Sequence, residues 1–255
     1  MNNKYIINAD DYGLTESCSK AIAEAFEKGL ITDTTACANG AYIEQAFALA
    51  KAKGFLENIG IHINLTEGKP LTDNIANDSF FCENGVFHGR IDRLKKPTKE
   101  QLEFLKQEVT AQVQRLLDIG YVISHADSHH HVHTCVYFVD TIQEVLFGFG
   151  IKKIRLHRNI GKIPFYKRVV KNWYNKKLRK QGFTTCQYFG SAEDLILWIK
   201  KPRKGICEIM VHPDYDAEGV LIDRIEEENG AKFGEPLEKA LQSRYESKRT
   251  TYKDL

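Results

Sequence analysis

Short apolar runs alternate with longer amphipathic stretches along most of this chain, and that alternation constrains its fold more than any other feature. Residues 5–9, 59–65, 121–126, 152–156 and 207–212 read as buried strands, with a shorter one at 183–187. Residues 17–29, 43–53, 98–120, 136–149, 165–181, 192–200 and 235–248 read as helices. The clearest is 98–120, where Thr98 can cap the start and Leu102, Leu105, Val109, Val113, Leu116 and Leu117 form one stripe. Strands that alternate with helices imply a parallel sheet with crossover connections. The number of units predicts an α/β fold built as a distorted or incomplete (β/α) barrel with fewer than eight strands; a doubly wound sheet is the alternative. Residues 70–97 read as a long irregular excursion, and 214–234 as an acidic loop. With no internal repeat and no linker, residues 1–255 are expected to form one domain.

A chain of 255 residues can bury roughly three-quarters of its unfolded surface, so it needs no covalent staples. The six cysteines form no CxxC pair and read as reduced, buried thiols. Lys plus Arg total 36 against 34 Asp plus Glu, a balance that argues against a nucleic-acid partner. It leaves an uncharged small molecule or oligosaccharide open as substrate. No run of about 18 apolar residues is present, so no membrane span is expected, and the start lacks the pattern of a secretory signal. A cytoplasmic protein is the expectation, and the exposed helices allow a homodimer.

Parallel α/β sheets of either kind carry their sites at the C-terminal ends of the strands. Here the strands end in the side chains that bind metals and move protons. The first ends Asn8-Ala9-Asp10-Asp11, the second contains His62, and another ends Val211-His212-Pro213. Between them, residues 125–133 carry five His and one Asp. An Asp pair after a strand ordinarily marks a turn or an N-cap, and a lone strand His is ordinarily a hydrogen-bonded core residue. The His run is different, because clustered imidazoles each need polar partners and are hard to explain by packing. Asp127, His129, His131 and His133 alternate, so an extended backbone would point all four the same way.

A catalytic metal typically takes three protein ligands and keeps one position open for water. Asp10, Asp11, His62, His129 and His212 supply candidates for two imidazole ligands, one carboxylate ligand, a general base and a general acid. His62 provides a single imidazole, so another must come from the run; His129 is the choice, with His125 and His131 as rivals. Such a set suits hydrolysis of an amide or ester. Arg155 is expected to meet a hydroxyl or phosphate, and Tyr12, Phe80, Phe81, Phe87 and Tyr215 are the aromatic candidates for holding a sugar. The basic helix 165–181, with Trp173 and Tyr174, reads as a solvated amphipathic face.

The ordered blocks Asn8-Ala9-Asp10-Asp11-Tyr12-Gly13, Thr34-Thr35-Ala36-Cys37-Ala38-Asn39-Gly40, Gly60-Ile61-His62-Ile63-Asn64-Leu65-Thr66-Glu67-Gly68-Lys69-Pro70, Ser124-His125-Ala126-Asp127-Ser128-His129-His130-His131-Val132-His133 and Met210-Val211-His212-Pro213 resemble the YdjC-like carbohydrate deacetylase family. The resemblance spans residues 8 to about 216. It implies a barrel related to the polysaccharide deacetylases, one divalent ion, Mg²⁺ or Zn²⁺, and removal of acetyl groups from N-acetylated sugars such as chitooligosaccharides. Carried over by position, Asp11, His62 and His129 match the metal ligands, Asp10 the base and His212 the acid. Which of Asp10 and Asp11 binds metal stays open. Tyr12 stands where the family often has Phe, and Asp214-Tyr215 where Gly is frequent, departures that bear on specificity. The same rim also suits a phosphoesterase, a sugar isomerase or a non-catalytic metal- or sugar-binding protein.

Overall fold

The fold, taken from a computed structural model, is a curled parallel sheet covered by helices. The structure describes residues 3–89, 91, 95–195, 204–226, 232–241 and 249–255. The chain runs β1 (Asn3–Tyr12), α1 (Glu16–Glu27), β2 (Asp33–Ala36), α2 (Ile43–Lys53), β3 (Ile59–Ile63), α3 (Asp73–Ala76), β4 (Cys82–Glu83), β5 (Val86–Phe87), α4 (Lys99–Ile119), β6 (Ala126–Ser128), α5 (Val139–Gly148), α6 (Phe165–Lys180), β7 (Tyr188–Ser191), β8 (Gly205–Val211), β9 (Pro213–Tyr215), β10 (Leu221–Glu226), β11 (Lys232–Pro236) and α7 (Leu237–Leu241). The main sheet has six strands in the order β6-β3-β2-β1-β8-β7, every pair parallel. Beyond β6, single bridges Ala126–Ile154 and Lys153–Thr184 carry the curl round toward the segment that leads into β7. The expected distorted barrel is therefore present. Residues 152–156 join it through isolated bridges rather than as a full strand, and the strand expected at 183–187 forms instead at Tyr188–Ser191.

Alternation along each strand gives the curled sheet two unlike faces. Ile7 and Ala9 of β1 face outward, into a core shared with Ile22 of α1, Ala46 of α2, Val109 of α4 and Leu146 of α5. Ile6, on the other face, packs with Cys186 and Tyr252. Above Ile6 the inner face is polar: Asn8, Asp10, Thr35, His62, Asp127, Arg155 and Glu208 are all buried. Helix α4 is set by its ends, a reciprocal Thr98–Gln101 capping box and a left-handed Gly120 (φ 110°). Its stripe is buried at Leu105, Val109, Val113 and Leu116, while Leu117 is exposed.

Two expectations are corrected, and the amphipathic reading of the basic helix holds. The described residues between 214 and 234 are not a loop: β9, β10 and β11 form an antiparallel sheet over the rim. The 70–97 excursion contains α3 and the β4–β5 hairpin and buries Ile75, Phe81 and Phe87. On α6, Phe165 (80% exposed) and Trp173 (58%) face out, and the buried contacts are Tyr174, Asn175 and Leu178. The far parts of the helices expected at 192–200 and 235–248 lie outside the described residues. All six cysteines are buried, and none is in a disulfide. No helix among the described residues is long and apolar enough to cross a membrane.

The polar inner face makes stability depend on pH. Asp33 is buried at the start of β2, with Oδ1 accepting from the Tyr252 N–H (3.0 Å). Burial, reinforced by Glu208 and Asp254, pushes its carboxyl up to about 7. A raised acid favours the neutral form in the fold, so its contribution is complete below the ordinary value of 3.8 and is lost as pH rises through about 7. The span is worth on the order of 4 kcal/mol. Denaturant melts are therefore expected to show stability falling between about pH 4 and pH 7, a slope that Asp33→Asn flattens. An unchanged slope in the variant would assign the effect to another group.

Candidate active site

The site begins with an irregularity in β1. Its register against β2 shifts between Ala9 and Tyr12, and Asp11 adopts a left-handed backbone (φ 74°). Asp tolerates that region better than most residues, and local strain of this kind concentrates at functional sites. The kink lets two consecutive carboxylates, Asp10 and Asp11, line one cleft, whereas a regular strand would send them to opposite faces.

Asp11 is the hub. Its Oδ1 accepts from His129 Nδ1 (2.8 Å) and stands 3.2 Å from His62 Nε2, and its Oδ2 accepts from Arg224 Nη2 (3.0 Å). The opposite edge of each imidazole is also held. His62 Nδ1 donates to Asp127 Oδ1 (2.6 Å), and His129 Nε2 donates to Glu67 Oε2 (3.0 Å). Burial alone would depress both imidazoles, but the surrounding carboxylates prevail, raising His62 to about 10 and His129 to about 9. Burial would conversely raise Asp11, yet the two imidazoles hold it well below the ordinary carboxylate range.

Asp10 belongs to a second layer beneath. Arg155, fully buried, grips it with Nη1 on Oδ2 (2.6 Å) and Nη2 on Oδ1 (2.7 Å), while Asn8 donates to Oδ1 (2.9 Å). The same guanidinium reaches Asp127 (2.7 Å) and, through Nε, Glu208 (2.6 Å). Despite burial, the Arg155 charge holds the Asp10 carboxyl well below its usual range. Arg155 is thus a structural counter-charge, not the solvent-facing hydroxyl or phosphate ligand expected from sequence.

The His run does not stay extended. Residues 129–134 form a tight 3₁₀ segment in which His130 (φ 49°) and His131 (φ 55°) are left-handed. Four side chains therefore do not share a direction. His129 meets Asp11, His130 meets Thr66 (3.0 Å), His131 packs edge-on to Phe189, and His133 turns to Ser128. His125 sits below the rim: its Nε2 donates to Asn8 (3.0 Å), and the ring passes so close to Gly60 that a Cβ there would stand 2.8 Å from it.

His212 follows β8 and is the accessible member, its side chain 31% exposed. Its Nε2 lies 4.0 Å from Asp10 Oδ2, and its backbone N–H donates to Asp223 of β10 (2.7 Å). These groups line a cleft of about 240 Å³ bounded by Asp10, Asp11, His62, His129, His212 and Arg224, among others. A neighbouring lobe shares Met210, His212 and Arg224 with it. The five candidate residues of the sequence are thus brought together. The five candidate aromatics are not: Tyr12, Phe80, Phe81 and Phe87 are buried outside the cleft, and the Tyr215 hydroxyl donates to Glu24. The sequence does not single out Arg224, Glu67 or Glu208, although Glu67 stands in a quoted motif; Asp127, marked as part of the His run, lies behind His62.

The donor set suits a divalent cation. A buried carboxylate oxygen lies between two imidazole nitrogens, and Asp127 commits the far nitrogen of His62 to a proton, leaving Nε2 aimed at Asp11. Ligand atoms of Asp11, Cys37 and His62 lie within 4.8 Å of one another, as do those of Asp10, His62 and Asp127. In the second triad Arg155 already bridges the two carboxylates and supplies the cation.

A family model described as "YdjC-like protein" matches residues 4–247. A protein of Oceanobacillus iheyensis named "Carbohydrate deacetylase" is 29% identical over 211 residues, covering 82% of this chain and 84% of that protein. One of Geobacillus stearothermophilus, with the same name, is 30% identical, covering 82% and 79%. A solved structure from Enterococcus faecalis, described as a "putative cellobiose-phosphate cleavage protein", superposes with a TM-score of 0.76 at 22% identity, over 100% of this chain and 99% of the other.

Proposed function

We propose that this chain, which belongs to the YdjC-like family, removes acetyl groups from N-acetylated carbohydrates of the chitooligosaccharide class, aided by one divalent ion, Mg²⁺ or Zn²⁺. The observation that carries the reading is the convergence of Asp11, His62 and His129 in a cleft that also presents a held carboxylate, Asp10, and an accessible imidazole, His212. Relatives named for carbohydrate deacetylation support the chemistry.

In this reading Asp11, His62 and His129 would hold the ion, which would supply acidification of a water and polarisation of the acetyl carbonyl. Arg155 and Asn8 hold Asp10 in one orientation, and the Arg155 charge keeps it ionised, the state from which a general base starts. Asp10 takes the proton from the attacking water. His212, anchored through its backbone on Asp223, gives one to the departing amine. Arg224 holds the second oxygen of Asp11, and Asp127 fixes the tautomer and tilt of His62.

Two outcomes follow for the metal. Asp127→Asn is expected to weaken metal binding by about 10–100-fold, the usual cost of losing a partner behind a ligand; equal affinity in a metal titration would remove His62 as a ligand. His129→Ala is expected to lower the metal content of purified protein, and parent stoichiometry would move that ligand elsewhere. The function itself is tested by offering N-acetylated, phosphorylated and reducing sugars in parallel and following acetate, phosphate and isomer. Acetate alone is expected; phosphate or isomer without acetate would assign the rim to another chemistry.

A further inference from the structure

Beneath the rim, residues 249–255 close the lower end of the inner face. Arg249 forms a parallel bridge to Tyr5, and the Thr250 N–H donates to the Tyr5 carbonyl (2.8 Å). A turn at Tyr252–Asp254, capped by Thr251, then presents the Tyr252 side chain to the interior. That ring is fully buried beside Ile6 and Cys186 and lies flat on the His125 imidazole, with centroids 3.7 Å apart. Its backbone is held from both sides, its N–H on Asp33 and its carbonyl on Lys153 Nζ. Its hydroxyl donates to Glu208 Oε2.

Glu208 is the link to the chemistry. Its Oε1 accepts from Arg155 Nε (2.6 Å), so Tyr252 and Arg155 take one oxygen each of the same buried carboxylate. A carboxylate held at one oxygen can pivot, whereas one held at both cannot. The guanidinium is a rigid planar fork, so fixing its Nε edge fixes the direction of the Nη1–Nη2 edge. That edge is the one that grips Asp10, and its Nη1 also reaches Asp127 behind His62. The face of Phe189, 4.8 Å from Arg155 Cζ, restrains the same plane.

We infer that Tyr252 is a positioning residue for the reaction: through Glu208 and Arg155 its hydroxyl sets the orientation of Asp10. This rests on the reading of Asp10 as the base. The hydroxyl acts at a distance, as the bottom of a column Tyr252–Glu208–Arg155–Asp10, and touches no reacting atom.

Tyr252→Phe keeps the ring, the stack on His125 and both backbone contacts, and removes one hydrogen bond to a charged group. A bond of that class carries a factor of about 10–150, and because it acts here through two intermediates the lower end, about tenfold in kcat for acetate release, is expected. KM is expected to stay within about twofold, since only the aim of Asp10 changes while the proposed metal ligands and His212 keep their places, and metal content is expected to match the parent. A floor that merely packs would lower the melting temperature and leave kcat at the parent value, and that result overturns the inference. Glu208→Gln supplies the second arm. If the column acts as a unit, adding Tyr252→Phe to Glu208→Gln costs no further rate, whereas fully additive losses contradict it. The Arg155 Nε–H signal in ¹⁵N-labelled protein gives a readout free of activity. Tyr252→Phe should shift that signal and speed its exchange, and an unmoved signal sinks the column. Should the parent release no acetate while the signal moves, the column stands and only the reading of the reaction fails.

Discussion

Replacing Asp10 with Asn is expected to lower the rate of acetate release by about 10²–10⁴-fold, the range for removal of a general base, and to leave the metal content of the protein unchanged. An amide cannot take the water's proton, and the proposed metal ligands Asp11, His62 and His129 are untouched by the change. The variant also turns an amide toward Arg155, whose Nη1 and Nη2 both donate to Asp10, so a melting temperature below the parent's is expected and rates are to be taken well below it. Kinetics with metal analysis on the same preparation make the check. A near-parent rate assigns the base to another group, and lost metal makes Asp10 the ligand in place of Asp11.

Arg155→Met is expected to be the most destabilising single change in the inner face, by at least about 3–5 kcal/mol, because it strands buried charge. Asp10, Asp127 and Glu208 all lean on this one guanidinium. The sign of its pH dependence follows from Asp10. Burial raises that carboxyl and Arg155 more than reverses the effect. A depressed acid contributes stability above its unfolded value, lost only as pH falls through the folded one; without the guanidinium the burial term remains and the carboxyl rises. The variant's deficit should therefore be largest at neutral and alkaline pH and shrink as acid protonates the stranded groups. Chemical melts from about pH 5 to about pH 8 measure it; a deficit independent of pH would mean that Arg155 acts by filling space.

How far the sequence revealed this site depended on the range of the forces involved. The strands ending at Asp11, His62 and Val211 were legible because each is a short apolar run whose chemistry begins where its hydrophobicity stops. Parallel topology then gathers those ends on one rim. The His run was misread in conformation, since alternation suggested extended backbone. The left-handed pair His130 and His131 is a local backbone choice that residue type signals only weakly. The role of Arg155 was illegible, because a cation between three carboxylates is defined by contacts as distant in sequence as Asp10. The sheet over the rim could have been found. Asp216 and Gly219 lie between Tyr215 and Leu221, and a Gly-containing link of this length between short runs is a hairpin signal that acidic composition obscured. That miss concealed Arg224, which reaches Asp11 from β10.

Acetate release from N-acetylated oligosaccharides, measured on purified protein after chelation and again after adding back Mg²⁺ or Zn²⁺ singly, tests the central claim most directly. The expected result is acetate and free amine in equal amounts from the parent, none after chelation, and recovery with one of the two ions. Acetate that persists undiminished in fully chelated protein would contradict the account, because Asp11, His62 and His129 would then hold no ion that the reaction needs.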